Sequence, residues 1–548
     1  MRRACVVVTF AFIAVAGSVE PVTAATIRGS ARADTLTGTA AADVILAGNG
    51  DDRIEGRAGS DFLEGGEGRD TLVGAAGADR IAAHLDGARD VIRCGAGPDV
   101  VVADLLDVVA ADCETVSLQL SRDTTLARGS QHETQVEPDS FAFGQTIVAV
   151  FQTGRNEGGG AAAHGWATST DAGATWRSGV LPGLVVDSSA SGRLDAVSDP
   201  VIAYDAVHRV WLASSLTVVE EDLRLVISRS GDGRAWGRPL VAAADAAEAY
   251  DKQWLTCDNG RTSRFRGRCY LAYYDVEANR IAVRRSTDGG RTWSAPVPTP
   301  ADGALGSSVN GAYPIVRPDG SLVLAFTIAS LFTASDENEV AVVHSGDGGQ
   351  TFTGPVRLGS FLEDAWTGLR APPLVSGDVD ARGRVYVAWG DCRFRDACIG
   401  SDIVLATSDD GIRWRAAVRI PASSDTATTD HFLPGVAVDP VSSGATARLA
   451  VLLHSRPEPE GCALAECPGI DVQLIRSANG GRTWSAPVTL SVERMPLPWL
   501  ANTGTGRMLG DYVSASWVGG RPVPVFSLAA APVRGRFRQA IFATVRAP

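Results

Sequence analysis

An eight-residue phrase recurs six times along the chain. It reads STDAGATW at Ser169 to Trp176, RSGDGRAW at Arg229 to Trp236, STDGGRTW at Ser286 to Trp293, SGDGGQTF at Ser345 to Phe352, TSDDGIRW at Thr407 to Trp414 and SANGGRTW at Ser477 to Trp484. Successive starts lie 60, 57, 59, 62 and 70 residues apart. The phrase has a physical logic. A short polar residue followed by Asp or Asn lets side-chain oxygens accept from backbone N–H groups in a tight turn, and Gly supplies a positive φ. The closing Trp or Phe then drops a ring between neighbouring sheets, burying on the order of 150–250 Å².

A spacing near sixty suffices for one four-stranded sheet per repeat, which is the period of a β-propeller. The phrases resemble the Asp-box, the repeat of sialidases and several other propellers, and the resemblance covers most of residues 120–548. It implies that the boxes sit at hairpin turns on the face away from a substrate. Asp171, Asp288 and Asp347 are therefore expected to hold turns rather than do chemistry.

Strands can be placed around each box. RIAVRRS (Arg280 to Ser286) and DIVLATS (Asp402 to Ser408) lead into boxes, and innermost strands are expected near Asp199, Lys252, Tyr313, Pro372 and Phe432. After the sixth box, DYVSASWV, RPVPVFSLA and RQAIFATV read as three further strands. Their missing outer partner is expected near Thr115 to Ser121, pairing the two ends of the domain and leaving no exposed edge. The fold class is thus all-β, with a seven-bladed propeller, alternatively six-bladed, over residues 115–548.

A second period, of nine residues, runs from Gly29 to Val102. Asp34, Asp43, Asp52, Asp61, Asp70 and Asp79 fall nine apart, and Asp90 and Asp99 continue the series after a two-residue insertion. An apolar residue follows each Asp by two places, from Leu36 to Val101. This resembles the RTX nonapeptide repeat, which implies a parallel β-roll over residues 25–114 with Ca²⁺ held between its turns. Asp43, Asp52, Asp61, Asp70, Asp79, Asp90 and Asp99 are its candidate ligands, because a hard cation demands oxygen donors. Arg57 replaces a turn Gly in one copy, so fewer ions than turns are expected.

Composition fits this division. At 548 residues the chain exceeds one ordinary domain, and a formal charge of −13 disfavours nucleic acid as a partner. Arg2 and Arg3, an apolar run from Ala4 to Ala16 and the small-residue pattern Val22, Thr23, Ala24 read as a secretory signal over residues 1–24, with no further segment apolar enough to span a membrane. Cys5 leaves with the signal. The other eight fall in close pairs, Cys94 with Cys113, Cys257 with Cys269, Cys392 with Cys398 and Cys462 with Cys467, and predict disulfides in an extracellular protein.

Candidate site residues come from the segments entering the innermost strands: Glu133, Asp199, Asp251 with Lys252, Tyr313, Arg370, Asp430 with His431, and Asp511 with Tyr512. Charge recurring at one place in successive modules is costly unless solvated or used. These groups either form a ligand site at the channel mouth or a hydrogen-bonded collar. A sialidase mechanism requires three arginines on a substrate carboxylate, a Tyr nucleophile paired with Glu, and an Asp acid/base. Arg370 fits the first role, with Arg155, Arg393, Arg395 and Arg507 expected in or near loops of the same face, Tyr512 fits the second, and Asp199 or Asp251 the third. No Arg-Ile-Pro signature precedes the first module, and Glu133 stands near where the first arginine is expected. The expectation is therefore a secreted Ca²⁺-binding protein that recognises extracellular glycan or protein, with an exo-sialidase-like glycoside hydrolase as the alternative.

Overall fold

The computed structural model of the chain describes residues 23–125, 127–186, 194–302, 307–330, 338–361, 368–395, 398, 400–424, 428–457 and 468–547. Every regular element among them is a strand or a short 3₁₀ turn, and none of their helices is long and apolar enough to cross a membrane.

Residues 26–109 form a parallel roll. One sheet stacks Thr35–Thr37, Arg53–Ala58, Thr71–Ala76, Val91–Ala96 and Val108–Val109, and the facing one stacks Thr26–Arg28, Val44–Asn49, Phe62–Glu67, Arg80–Ala83 and Val100–Ala103. Paired strands are two nonapeptides apart, so each coil spends one repeat on each sheet. The in-phase aliphatics Ile45, Ile54, Leu63, Leu72, Ile81, Ile92 and Val101 fill the interior completely. Gly48, Gly66 and Gly95 take left-handed conformations at the turns, and so do Arg57 (φ 77°) and Ala75 (φ 81°) at the equivalent positions. The latter two pay the steric cost that glycine avoids.

Beyond residue 130 the chain builds antiparallel sheets in succession. They begin with Ser130–Phe143, Leu194–Asp205, Tyr250–Cys257, Ser307–Val316, Ser376–Val379 and Thr429–Val438, each followed by three partners; a last group comprises Ser514–Val518, Arg521–Ala529 and Gln539–Arg546. These first strands touch one another in sequence, and Ser514–Val518 touches Ser130–Phe143, so the contacts close into a ring. The expected end-to-end pairing is present: Thr115–Gln119 runs antiparallel to Gln539–Arg546.

The six phrases lie at the hairpins after the third strands. In the third of them Ser286 Oγ donates to Asp288 Oδ1 at 2.9 Å, while the N–H groups of Arg291 and Thr292 donate to the same oxygen at 2.9 and 3.0 Å. These bonds outweigh partial burial and hold the Asp288 carboxyl down at about 2. The closing rings pack where two sheets meet: Trp236 between first and second, Trp293 between second and third, Phe352, Trp414 and Trp484 at the following interfaces, and Trp176 between last and first. The interface between the sixth sheet and the last has no such ring. There Phe432, Leu452, Phe526 and Phe542 share a core with Ala82 and Val102 of the roll.

Disulfides join Cys94 to Cys113, Cys257 to Cys269 and Cys392 to Cys398. Cys462 and Cys467 lie outside the described residues, as do residues 1–22 of the expected signal.

Candidate functional site

Glu133, Asp199, Asp251, Lys252, Tyr313, Asp430 and His431 belong to strands rather than to the loops before them, whereas Arg370, Asp511 and Tyr512 lie in connecting segments; an irregularity in the strands gathers the cluster. Five innermost strands slip register at the same level, between Val136 and Asp139, Ser198 and Val201, Asp251 and Trp254, Asn310 and Tyr313, and Phe432 and Gly435. Each slip contains a residue of positive φ: Glu137 (53°), Asp199 (52°), Lys252 (46°), Gly311 (69°) and Leu433 (49°). A bulge re-aims the side chain that the pleat would otherwise direct into the sheet. Pro138, Pro200 and Pro434 follow three of these residues, placing a group that cannot donate where the ladder is interrupted.

Glu137, Asp199 and Lys252 thereby meet Asp511 and Arg370. Lys252 Nζ lies 2.5 Å from Asp511 Oδ2, 3.2 Å from Asp199 Oδ1 and 4.0 Å from Glu137 Oε1. Arg370 donates from Nε to Asp511 Oδ1 at 2.7 Å and from Nη2 to Oδ2 at 2.5 Å. The Lys252 side chain is 11% exposed and that of Asp511 fully buried. Burial opposes charge on Asp511, but Lys252 and Arg370 overcome it and hold this carboxyl far below the usual range. Burial likewise works against charge on Lys252, and the carboxylates of Asp199 and Asp511 raise its ammonium well above the ordinary value. Glu137 is pushed up to about 7 and Asp251 to about 6, by burial first, with Lys252 acting in the opposite direction. Gln152 donates to Glu137 and Gln253 to the Asp199 carbonyl, completing the brace.

The other candidates divide. Tyr512 abuts the cluster, yet its hydroxyl donates to the Pro200 carbonyl at 3.1 Å, and burial with Glu137 and Asp199 raises the phenol well above its ordinary value. Glu133 stays outside, its N–H on Asp123 and its carboxylate 3.8 Å from Arg122. Glu137, four residues on, occupies the position assigned to it, and the Glu-Pro step shared with Asp199-Pro200 is the signal that marks it. Asp430 and His431 belong to a separate buried network: Asp430 accepts from the Ser401 N–H, and His431 Nδ1 lies 3.6 Å from Asp402, which also holds Arg395 and Arg419. The expected companions of Arg370 do not converge with it. Arg155 binds Gln152 and the Gly160 carbonyl, Arg393 binds Asp391, and Arg507 binds the Leu500 carbonyl.

Trp254 and Tyr313 stand two residues after their bulges with ring centroids 4.6 Å apart, and Tyr512 meets Trp254 edge-on at 5.1 Å. These rings form a shared wall. On one side is a narrow space lined by Asp199, Lys252, Gln253 and Leu374; on the other, toward the end that carries the phrases, is a cavity of about 350 Å³. Register fixes that direction, since Cys257, Cys269 and Ser286 pair at the phrase end of their sheet while Asp251 lies at the opposite end. The cavity is lined by Phe141, Trp254, Tyr313 and Trp517 among aliphatics, with Asp139 and Asp378 in its wall. Burial pushes both carboxyls up to about 7, and they accept from the N–H groups of Ile202 and Val438 on the adjoining strands.

In the roll, each repeat Asp from Asp52 to Asp99 is bound to the coil before it. Its Oδ1 accepts from the N–H of the Asp one coil earlier, as Asp61 does from Asp43 at 2.8 Å and Asp79 from Asp61 at 2.9 Å. The second oxygens of Asp52, Asp61, Asp70, Asp79 and Asp99 are buried without a protein partner. A Cβ added to Gly56, Gly65 or Gly74 would come within 2.3–2.4 Å of such an oxygen. Rows of orphaned carboxylate oxygens facing bare glycine backbone fit a hard divalent cation. Asp43 departs from this pattern, because the N–H groups of Thr39 and Ala25 occupy both its oxygens.

The family model of the RTX calcium-binding nonapeptide repeat matches residues 28–63 and 55–87. These repeats bind Ca²⁺, and Asp52, Asp61, Asp70, Asp79 and Asp99 would supply carboxylate oxygen to it. No curated protein matches the chain. Among solved structures, an ulvan lyase of a polysaccharide lyase family is similar at 9% identity, over 77% of this chain and 94% of that one, with a TM-score of 0.45. An α-L-arabinanase of Penicillium chrysogenum is similar at 12% identity over 66% and 97%, TM-score 0.41. A Hadza microbial sialidase is similar at 14% identity over 76% and 67%, TM-score 0.36.

Proposed function

We propose that this is a secreted, Ca²⁺-binding recognition protein whose seven-bladed propeller, pinned by six Asp-boxes, takes an extracellular glycan in its central channel. The observation that carries this reading is the cavity at the box end, where Trp254, Tyr313, Trp517 and Phe141 surround about 350 Å³. That volume is within the range of small-ligand sites. Aromatic faces offer stacking to sugar rings, and acceptors in the wall suit hydroxyl groups. The charged cluster beyond Trp254 then serves as a brace between blades, since its cations Lys252 and Arg370 are already matched by Asp511 and Asp199.

Exo-sialidase chemistry at the opposite mouth is the second reading, favoured by the gathering of Arg370, Asp199, Asp251 and Tyr512 there. Against it, the Nε–Nη2 edge of Arg370 is already on Asp511, and the Tyr512 hydroxyl is engaged by Pro200. A panel of immobilised glycans tests both. Binding to the full chain that falls at least tenfold in Trp254→Ala and Trp517→Ala, with no turnover of a fluorogenic sialoside, supports recognition. Sialoside turnover abolished by Arg370→Ala and Tyr512→Phe would establish the hydrolase instead.

A further inference from the structure

The sheet that closes the ring is also a sheet of the roll. Thr115–Gln119 pairs antiparallel with Gln539–Arg546 on one edge, and on its other edge it pairs parallel with Val100–Ala103, the last full strand of the roll's second sheet. Hydrogen bonding therefore runs unbroken from Ser514–Val518 through Arg521–Ala529, Gln539–Arg546 and Thr115–Gln119 into Val100–Ala103, Arg80–Ala83 and Phe62–Glu67. Asp99 lies at this junction: its carbonyl accepts from the Thr115 N–H at 3.0 Å, and its own N–H donates to Glu114 at 3.0 Å.

Side chains reinforce the seam from both directions. Val116 is buried in the core of the roll, and Val545 of the opposite strand packs against that core. Arg546 donates to the carbonyls of Val109, Ala110 and Cys113 at 3.2, 2.7 and 3.1 Å, just where the Cys94–Cys113 disulfide clips the final coil. Ala82 and Val102 join the core between the sixth sheet and the last, beside Phe432, Phe526 and Phe542. The roll thus supplies both an edge strand and part of that core.

We infer that Ca²⁺ loading of the roll controls closure of the ring: the ordered roll presents Thr115–Gln119 in register for Gln539–Arg546, and removal of Ca²⁺ opens the ring at that seam. This goes beyond ligand recognition and rests on the junction alone. Parallel strands stacked only on one another have a narrow core, so repulsion among unneutralised carboxylates loosens the roll first. The strand that depends on its last coil for one of its two edges then loses its template.

The test is amide hydrogen exchange on the full chain, in Ca²⁺ and in chelator. Expected is exchange at least tenfold faster in chelator at residues 115–119 and 539–546, while Tyr250–Cys257 and Cys269–Asp275, across the ring, stay protected. Asp70→Asn with Asp79→Asn, measured in Ca²⁺, is expected to give the same pattern. The inference is overturned by a seam whose protection is the same in both conditions, whether the roll itself responds to Ca²⁺ or not. It is also overturned by uniform loss across all sheets, which would make the ion a global stabiliser. Mg²⁺ in place of Ca²⁺ is expected to leave the seam open.

Discussion

Arg370 and Asp511 face each other as a two-point fork, Nε to Oδ1 at 2.7 Å and Nη2 to Oδ2 at 2.5 Å, although 141 residues separate them. Lys252 reaches the same Oδ2 from a third sheet. One fully buried carboxylate thus pairs with two cations. Asp511→Ala should destabilise the protein by about 3–5 kcal/mol, the cost of leaving buried charge unmatched. Urea unfolding followed by tryptophan fluorescence measures it, and a loss under 1 kcal/mol would show the cluster to be hydrated.

The pH dependence of stability should carry the mark of Glu137. Burial raises its folded value to about 7 from an ordinary 4.5. The native state therefore holds this proton over a window in which the unfolded chain has released it, and the group's contribution falls as pH rises from about 4.5 to 7. Glu137→Gln keeps an amide where the protonated acid stood. The variant should gain in Tm relative to the parent on going from pH 5 to pH 8, in thermal melts at both values, and parallel curves would contradict the assignment.

Two substitutions probe the roll. Arg57 holds a left-handed φ of 77° at a position where the flanking repeats, on the facing sheet, use Gly48 and Gly66. Arg57→Gly should stabilise the Ca²⁺-loaded protein by about 0.5–1 kcal/mol, read as a higher melting temperature. Gly65→Ala should act oppositely, since its Cβ would sit 2.3 Å from Asp70 Oδ2. A tenfold or greater loss of Ca²⁺ affinity is expected by calorimetric titration, equal to about 1.4 kcal/mol.

Trp176 is 7% exposed where the last sheet meets the first. Trp176→Ala should cost about 3–5 kcal/mol. Because Trp176 does not line the cavity beside Trp254, glycan binding by the folded variant should be unchanged in the same panel.

Much of this organisation could be read before any coordinates. The recurring phrases mark their hairpins, the nine-residue period marks the roll, three cysteine pairs are joined as spaced, and the segment near Thr115 supplies the closing strand. Periodicity reports such features because each is local or repeated. The charged cluster was legible only in part. A bulge shifts side chains by one place and leaves no periodic trace, so Glu133 stood out as a charge while Glu137, next to a proline, did not. The strand position of His431 points to the channel, whereas its side chain lies beside the Asp402 carboxylate of a neighbouring sheet. Long-range pairing of charges depends on which sheets adjoin, and a single chain of letters does not carry that.

The bond between Ser117 and Thr544 spans 427 residues of sequence. During synthesis one edge of Thr115–Gln119 therefore stays unpaired until almost all of the chain has emerged. Closure by so distant a contact makes assembly slow and leaves the nascent protein open to strand exchange with its neighbours. A prematurely terminated product lacking Gln539–Arg546 would keep that vulnerability for good, and proteolysis rather than misfunction would be its fate.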